Sequence, residues 1–440
     1  MKVIRDSIHK DIYLSETEIK IIDSEEFQRL RNIKQTGLTY LVYPSANHTR
    51  FEHSIGTLYV ASRMGEKLGV EDLELLRVAA LLHDIGHPPF SHTLEILGYD
   101  HEQVGKKIIK KMDLINFSPS EVLNILSSRR LERKIINGDV DADRIDYLLR
   151  DSYHTGTAYG MIDLPRILRS LTTFKSGDKI KMGILRKGIM AIESLLVARH
   201  QMYSAVYLHP TVRIADKMLK KAVIEEYYNK NLDIKELSKM DDPDLISLLR
   251  HSENRLMRKL DKRELFKRVL TLNYHELSSL DRWRIINLSE KDVLDIENLL
   301  SESFGREIFL DIYPIPTLEE HDVYIVDEEE VYKLDSISPL ARTLRSAEIC
   351  LWNLSFYSEK RDIDVEKLKK EFLSIIREKE FKSNLLEILK EHKKIVGKSK
   401  LFELSNLSYK EFNEELKKLI FSSLVKEEAK GKSYVYSVNL

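Results

Sequence analysis

The sequence predicts a mostly helical fold, α+β overall, and three observations carry that expectation. Gly (16) and Pro (10) are together 26 of 440 residues, about 6% against a usual figure near 12%, so helices can run long. Apolar residues recur at steps of three and four through much of the chain. Alternating, strand-like patterning is confined to a few short stretches. At roughly 150 residues per domain, 440 residues imply two or three domains, with a core large enough to need no disulfides.

Taken in order, residues 1–50 hold short strand-like or turn segments and one helix, expected over Ser24–Lys34. It is opened by Asp23-Ser24, with Glu25-Glu26 in its first turn. From His53 to Leu68 the residues Ile55, Leu58, Ala61, Met64 and Leu68 keep helical spacing. Glu71 to Asp84 is apolar nearly all round, hence a buried helix, and Pro88-Pro89 prevents its continuation. Asp141–Asp151 predicts another helix, ended before Gly156, and Ile189–Tyr207 a long uninterrupted one that Pro210 stops or kinks. Amphipathic helix is expected to about 300, then short strands at Arg306–Tyr313 and Asp322–Lys333, the latter folded at Asp327–Glu330. Helices follow at Pro339–Tyr357 and Asp364–Lys379. The last stretch, 384–440, reads helix, short helix (Lys400–Ser405), helix (Tyr409–Leu424), then a basic-tipped hairpin ending in alternating Tyr434–Val438. That order predicts a winged-helix-like module.

Composition excludes several function classes. Lys and Arg (70) cancel Asp and Glu (71), which argues against a globally basic nucleic-acid binder. Cys350, the single cysteine, rules out an internal disulfide or thiolate cluster and fits a reducing cytoplasm. The charged start Lys2-Val3-Ile4-Arg5-Asp6 lacks the apolar run of a signal peptide. No window approaches the ~20 apolar residues of a membrane span. The histidines are the informative residues: seven of 14 fall between positions 48 and 154, with His9 just upstream.

Within that region His53 and the adjacent His83-Asp84 offer the imidazole nitrogens and carboxylate oxygen that a divalent metal wants. A lone His-Asp pair is ordinarily a cap and a solvated acid, but Leu81-Leu82 precede this one, and an unpaired buried charge costs several kcal/mol. Further on, Asp143, Tyr147, Arg150 or Asp151, and His154 share a helix face, while Ile145, Leu148 and Leu149 cover the other. Among Asp139, Asp141, Asp143 and Asp146 the residues alone do not choose a ligand.

The segments Phe27–Arg31, Arg50–Ser54, His83–His92, His101-Glu102, Asp146–Asp151 and Tyr207–His209 resemble the HD-domain metal-dependent phosphohydrolases. More closely, they resemble the deoxynucleoside triphosphate triphosphohydrolases, which include eukaryotic members that join a sterile-alpha-motif domain to the HD domain. The resemblance covers about residues 1–220 and implies a helical HD phosphohydrolase core there, with a helical and small-sheet extension over 221–383. It implies metal ligands His53, His83, Asp84 and Asp143 for a divalent ion, with Mg, Mn, Fe, Ni and Zn all open. The implied reaction is attack of activated water on the α-phosphorus, releasing deoxynucleoside and intact triphosphate.

Other roles follow from the same resemblance. His101, with Glu102 beside it, would transfer the proton, and His87 and His92 would touch the α-phosphate. Arg50, Arg144 and Arg199 would hold the triphosphate. Tyr147, Tyr207 and His209 would pack on sugar or base, and Gln35 and Asp151 would bond the 3′-hydroxyl. Pro210 stands where a relative has Lys, a departure that touches base contacts. Lys2, Val3, Asp23, Gln28 and Arg31 match an effector-nucleotide pocket formed between subunits, although Asp23 could equally be a helix N-cap. The expected partners are therefore a nucleotide substrate, a nucleotide effector and copies of the chain itself, as dimer or tetramer. The acidic helix Tyr409–Lys418 disfavours nucleic acid. Two other functions compete: an HD phosphohydrolase acting on a monophosphate, cyclic nucleotide or single-stranded nucleic acid, and a nucleotide-sensing regulatory protein.

Overall fold

The computed structural model describes residues 2–94, 98–128, 130–316, 323–430 and 433–439. It is 59% helix and 15% strand, well above the helix content of an average globular protein. Two compact units divide the chain, Met1–Leu265 with Glu319–Arg345, and Phe266–Leu318 with Ser346–Leu440.

The first unit carries the histidine-rich region. Its N-terminus is an antiparallel hairpin, Lys2–Asp6 paired with Lys10–Leu14, in which Lys10 takes the left-handed conformation (φ 67°) that closes a three-residue loop. At its centre lies the helix Leu73–Leu82, whose residues Val78–Leu82 are fully buried. The helix Arg50–Leu68 packs against it and, on another side, against the helix Ala142–Thr155. The first opens where Glu52 takes the Thr49 N–H at 3.1 Å and closes at Gly69 (φ 69°). The second opens on Asp141, which accepts the Arg144 N–H at 2.6 Å, and closes at Gly156 (φ 70°). A four-stranded sheet, Leu171–Ser176, Lys179–Leu185, Tyr324–Asp327 and Glu330–Lys333 in that spatial order, lies at its margin.

The second unit centres on an antiparallel sheet in which Asn353–Ser358 lies between Lys267–Asn273 and Ile308–Ile312. Its C-terminal part runs helix Asn384–His392, strand Lys394–Val396, helices Lys398–Ser405 and Tyr409–Phe421, then strands Val425–Lys430 and Ser433–Val438. These strands pair antiparallel around a core that includes Leu385, Leu389, Phe412 and Tyr436. Positions 431 and 432, at the expected basic tip, lie outside the described residues.

Several expected elements differ. The Ser24–Lys34 helix is only Glu25–Gln28 followed by a 3-10 turn at Arg29–Asn32. Its N-cap is Ser24, whereas Asp23 closes the preceding helix Glu16–Ile22. The helix from Pro339 ends at Leu351, and residues 353–358 are a strand whose side chains from Leu354 to Ser358 are all buried between two neighbours. The long helix from Ile189 changes at Tyr203–Tyr207 into a π-turn, and Pro210 begins a new helix, Pro210–Tyr228, rather than merely ending one. The hairpin Leu171–Leu185 and the strand Lys267–Asn273 carry too little alternation to be read as strands beforehand.

Candidate metal centre

His53 comes from the first turn of Arg50–Leu68, His83 caps Leu73–Leu82, Asp84 follows it, and Asp143 lies in the first turn of Ala142–Thr155. His53 Nε2 lies 3.1 Å from Asp143 Oδ1 and 3.6 Å from Asp84 Oδ2. His83 Nε2 lies 3.3 Å from Asp84 Oδ1 and 3.9 Å from Asp143 Oδ1. Both rings are committed on their other side: His53 Nδ1 bonds Asp146 Oδ2 at 2.8 Å, and His83 Nδ1 bonds the Ala80 carbonyl at 2.7 Å.

Those bonds fix the tautomers, because a carboxylate and a carbonyl can only accept. In the neutral rings each Nδ1 therefore carries the proton and each Nε2 presents a lone pair. Both Nε2 atoms are buried and lack a hydrogen-bond partner. Two lone pairs facing two carboxylates repel unless a cation lies between them, and two nitrogens with two carboxylate oxygens suit a divalent ion. The electrostatics agree. Burial pulls the His53 pKa down, but the nearby carboxylates of Asp143 and Asp146 outweigh it and hold it up to about 10. His83 is likewise raised, Asp84 and Asp143 overcoming burial. Burial opposes ionisation of Asp84, yet His83, Arg50 and His87 hold its carboxyl well below the ordinary range. The pocket is built to keep positive charge, and a metal ion would take the place of those protons.

Around this cluster the loop 85–92 is clamped on every side. Arg29 Nη2 donates to the carbonyls of Ile85 (3.0 Å) and His87 (2.9 Å), and Tyr99 Oη to that of Gly86 (2.8 Å). Asp242 accepts the Phe90 and Lys34 N–H groups at 2.7 and 3.0 Å, and burial raises its carboxyl to about 6. Phe90 and Ser91 both have positive φ (55° and 53°), strain that these clamps sustain. Arg50 bridges the loop to the centre, bonding Asp84 through Nη1 and Ser91 Oγ through Nε at 2.9 Å.

The loop gathers three histidines. His87 stacks on His101 (centroids 4.1 Å, 16°), and His92 meets both edge-on. His87 Nε2 is 3.3 Å from Asp84 Oδ1, and burial with Arg50's charge keeps its imidazole well below the usual pKa. Glu102 is exposed in the first turn of the helix His101–Ile109.

A second wall joins the other expected residues. Asp151 accepts from His48 Nε2 at 2.7 Å and from Tyr207 Oη at 2.6 Å. Tyr207 meets Tyr147 at 6.3 Å and Tyr203 at 5.1 Å, with the Arg199 guanidinium 5.1 Å over the Tyr203 ring. Gln35 donates its backbone N–H to the His48 carbonyl at 3.0 Å, and its Oε1 is buried without a partner. His209 caps the Pro210 helix through its Nδ1, 3.2 Å from the Thr211 N–H. Arg144 instead turns toward the start of its own helix, donating to the Asp139 and Gly138 carbonyls at 2.7 and 3.3 Å.

The N-terminal residues form two pairs. Lys2 Nζ lies 3.9 Å from Asp23, both exposed. Arg31 bonds Gln28 at 2.8 Å and covers the Phe51 ring at 3.5 Å. Val3 is exposed. Sequence reasoning missed Asp146 as the partner of His53, together with His9, Asp6 and Arg150 behind it, His48 on Asp151, and the clamps Arg29, Tyr99 and Asp242. The signal available for Asp146 and Arg150 was Gly56, where a Cβ would strike both.

Comparison with known proteins accords with this geometry. Residues 50–151 match the HD domain, and residues 162–384 the HD associated region. An uncharacterized protein of Methanocaldococcus jannaschii is 61% identical over 447 residues, covering all of this chain and 99% of that one. The Dictyostelium discoideum homolog of the deoxynucleoside triphosphate triphosphohydrolase SAMHD1 is 31% identical over 348 residues, 69% of this chain and 66% of its own. Beyond the methanogen protein, this chain spans 44–66% of the length of such curated relatives. A crystal structure of a phosphohydrolase from Bacteroides thetaiotaomicron superposes with TM-score 0.66 at 25% identity, covering 82% of this chain and all of that one. With the HD motif at the buried cluster and the associated region following it, the chain belongs to the HD-domain family of metal-dependent phosphohydrolases.

Proposed function

We propose that the protein hydrolyses deoxynucleoside triphosphates to deoxynucleoside and triphosphate, with His53, His83, Asp84 and Asp143 holding a divalent metal ion. The observation that carries this reading is the pair of buried, unpartnered Nε2 atoms facing two carboxylates. A bound ion supplies Lewis acidity, lowering the pKa of water and drawing off phosphoryl charge. Arg50 holds Asp84 in place and puts a fixed positive charge where the phosphate negative charge must come. His87 and His92 contact the α-phosphate, and His101, stacked on His87, gives the proton that the departing 5′-oxygen needs. Glu102, exposed beside His101 in the first turn of the same helix, orients it.

Arg199 takes the outer phosphates, and Arg144 joins it only by leaving the Asp139 and Gly138 carbonyls it holds in this structure. Tyr147, Tyr207 and His209 line the sugar and base. Asp151 has lone pairs left after binding His48 and Tyr207, and the buried Gln35 Oε1 awaits a donor; both suit a 3′-hydroxyl. On the hairpin side, Lys2, Val3, Asp23, Gln28 and Arg31 form the effector pocket of a homo-oligomer. Its support is that Asp23 is exposed and does not cap the helix it precedes. Residues 384–440 form a winged-helix-like module suited to packing between copies, supported by their helix and strand order. The test is incubation of the protein with Mn²⁺ or Mg²⁺ and a panel of nucleotides, with chromatography of the products. Tripolyphosphate and deoxynucleoside are expected. Orthophosphate released one unit at a time, or cleavage confined to monophosphates or cyclic nucleotides, refutes the reading.

A further inference from the structure

A relay of buried polar groups runs from the N-terminal hairpin to the metal centre. Asp146 bonds His53 Nδ1 through Oδ2 and His9 Nε2 through Oδ1, at 2.8 and 2.6 Å. Arg150 holds both of its oxygens, at 3.0 and 2.9 Å, and reaches Asp6 Oδ2 at 2.8 Å. Asp6 in turn shapes the hairpin loop, its Oδ1 accepting the N–H groups of Ile8 and His9 at 2.9 and 2.7 Å. The side chains of His9, Asp146, Arg150 and Asp6 are 5% exposed or less, so each bond acts in a low dielectric where its loss is felt.

Space is made for this relay at a cost. A Cβ on Gly56, in the helix that carries His53, would lie 1.9 Å from Asp146 Oδ1 and 2.4 Å from Arg150 Nη2. A mid-helix glycine gives up about 1 kcal/mol relative to alanine, so the close approach of that carboxylate is retained against propensity. The His9 ring also stacks on Tyr59 of the same helix (4.8 Å, 26°). An apolar residue would anchor the hairpin equally well; a histidine bonded to the carboxylate that orients His53 does more.

We infer that His9 is a positioning residue for the metal centre: through Asp146 it fixes the plane of the His53 ring and so tightens metal binding. The carboxylate plane is set by three donors, and the hairpin supplies one of them from 137 residues away. Removing it leaves Oδ1 held by Arg150 alone, so the carboxylate follows that one side chain, taking the His53 Nδ1 bond and the direction of Nε2 with it. This inference rests on the metal centre proposed above.

The test is the dissociation constant of the metal-stripped full-length chain for Zn²⁺, by competition with a chromophoric chelator, alongside the thermal midpoint of the metal-free form. Partners behind a metal-bound histidine are typically worth 10–100-fold in affinity. His9→Ala is expected to weaken binding about tenfold, and His9→Gln, which keeps an N–H donor, to restore most of it. Should His9→Ala fail to fold, His9→Phe keeps the ring on Tyr59 without the N–H and carries the same expected loss. Wild-type affinity in folded His9→Ala or His9→Phe, or a His9→Gln no tighter than His9→Ala, overturns the inference. Wild-type protein that takes up no Zn²⁺ overturns the metal centre itself, and so is told apart from a missing relay.

Discussion

Gly86, between His83-Asp84 and His87, faces Gly105 of the helix His101–Ile109, and the two positions respond differently to a methyl group. A Cβ at Gly86 would lie 2.1 Å from the His101 carbonyl, 2.4 Å from the Gly105 nitrogen and 2.8 Å from its Cα. All three are backbone atoms, so no side chain can swing aside. Reaching the 3.4 Å of ordinary contact from 2.1 Å requires about 1.3 Å of movement, and the element that must move carries His101 at its first residue. A Cβ at Gly105, by contrast, meets the Gly86 and Ile85 atoms at 3.5–3.7 Å, ordinary contact. Gly86→Ala should therefore cost about 1–3 kcal/mol of stability as overpacking does. It should slow turnover about 10²-fold, the usual effect of a 1 Å misplacement of a catalytic group, with the metal content unchanged. Gly105→Ala should keep activity and gain about 0.5–1 kcal/mol from helix propensity. The assay is triphosphate release from a deoxynucleoside triphosphate at saturating Mn²⁺, with metal analysis and a urea melt of each variant. A Gly86→Ala enzyme with wild-type turnover would show that the His87–His101 contact does not serve the reaction.

Three other outcomes are expected. His83→Ala or Asp143→Ala should remove the ion and about 10³-fold or more of the activity; near-wild-type hydrolysis with metal still bound rejects the ligand set. His154, stacked on His48, has its pKa lowered to about 4 by burial, with His48 and Arg150 adding to it. A depressed imidazole lends stability that is present above its ordinary pKa near 6.5 and lost as the pH falls. Between pH 7 and 5, wild type should thus lose about 1 kcal/mol more than His154→Phe, after allowance for solvent screening, and parallel urea titrations of the two would disprove it. Finally, a guanine nucleotide should accelerate hydrolysis of a non-guanine substrate and raise the oligomer mass, through a coupling of about 1–3 kcal/mol. Asp23→Ala should abolish the response without lowering stability, and full activity on every single substrate, effector absent, ends that reading.

The sequence made the inner ring of the site legible for a local reason. His53 and His83-Asp84 sit at ends of strongly periodic helices, and their neighbours Arg50 and His87 lie three or four residues away, within one turn. The helices themselves were read because apolar spacing over ten or more residues is a strong signal. Strand Asn353–Ser358 reads as a continuation of the preceding helix because both its faces are buried, which erases alternation. The π-turn at Tyr203–Tyr207 was hidden for a different reason: five residues cannot announce one extra residue per turn, yet it is what sends Tyr207 to Asp151.

What stayed illegible is the ring behind the ligands, and the cause is separation along the chain. Asp146 bonds His53 across 93 residues and His9 across 137, Arg29 reaches Ile85 across 56, and Asp242 holds the Phe90 N–H across 152. No period of 3.6 or 2 encodes such a pairing. What two close approaches do leave in the sequence is a missing side chain. Gly56 stands mid-helix, where a helix former would be worth up to about 1 kcal/mol, Gly86 stands in the turn after His83-Asp84, and both have left-over space for nothing larger than hydrogen. Gly69 and Gly156 are the contrast, with positive φ and nothing within 4 Å of a built Cβ, so their glycine answers the backbone alone. A glycine beside a candidate ligand, in a segment whose pattern calls for a helix or a tight turn, therefore points to a group arriving from elsewhere in the chain. In this protein those two groups are the carboxylate that orients His53 and the helix that delivers His101.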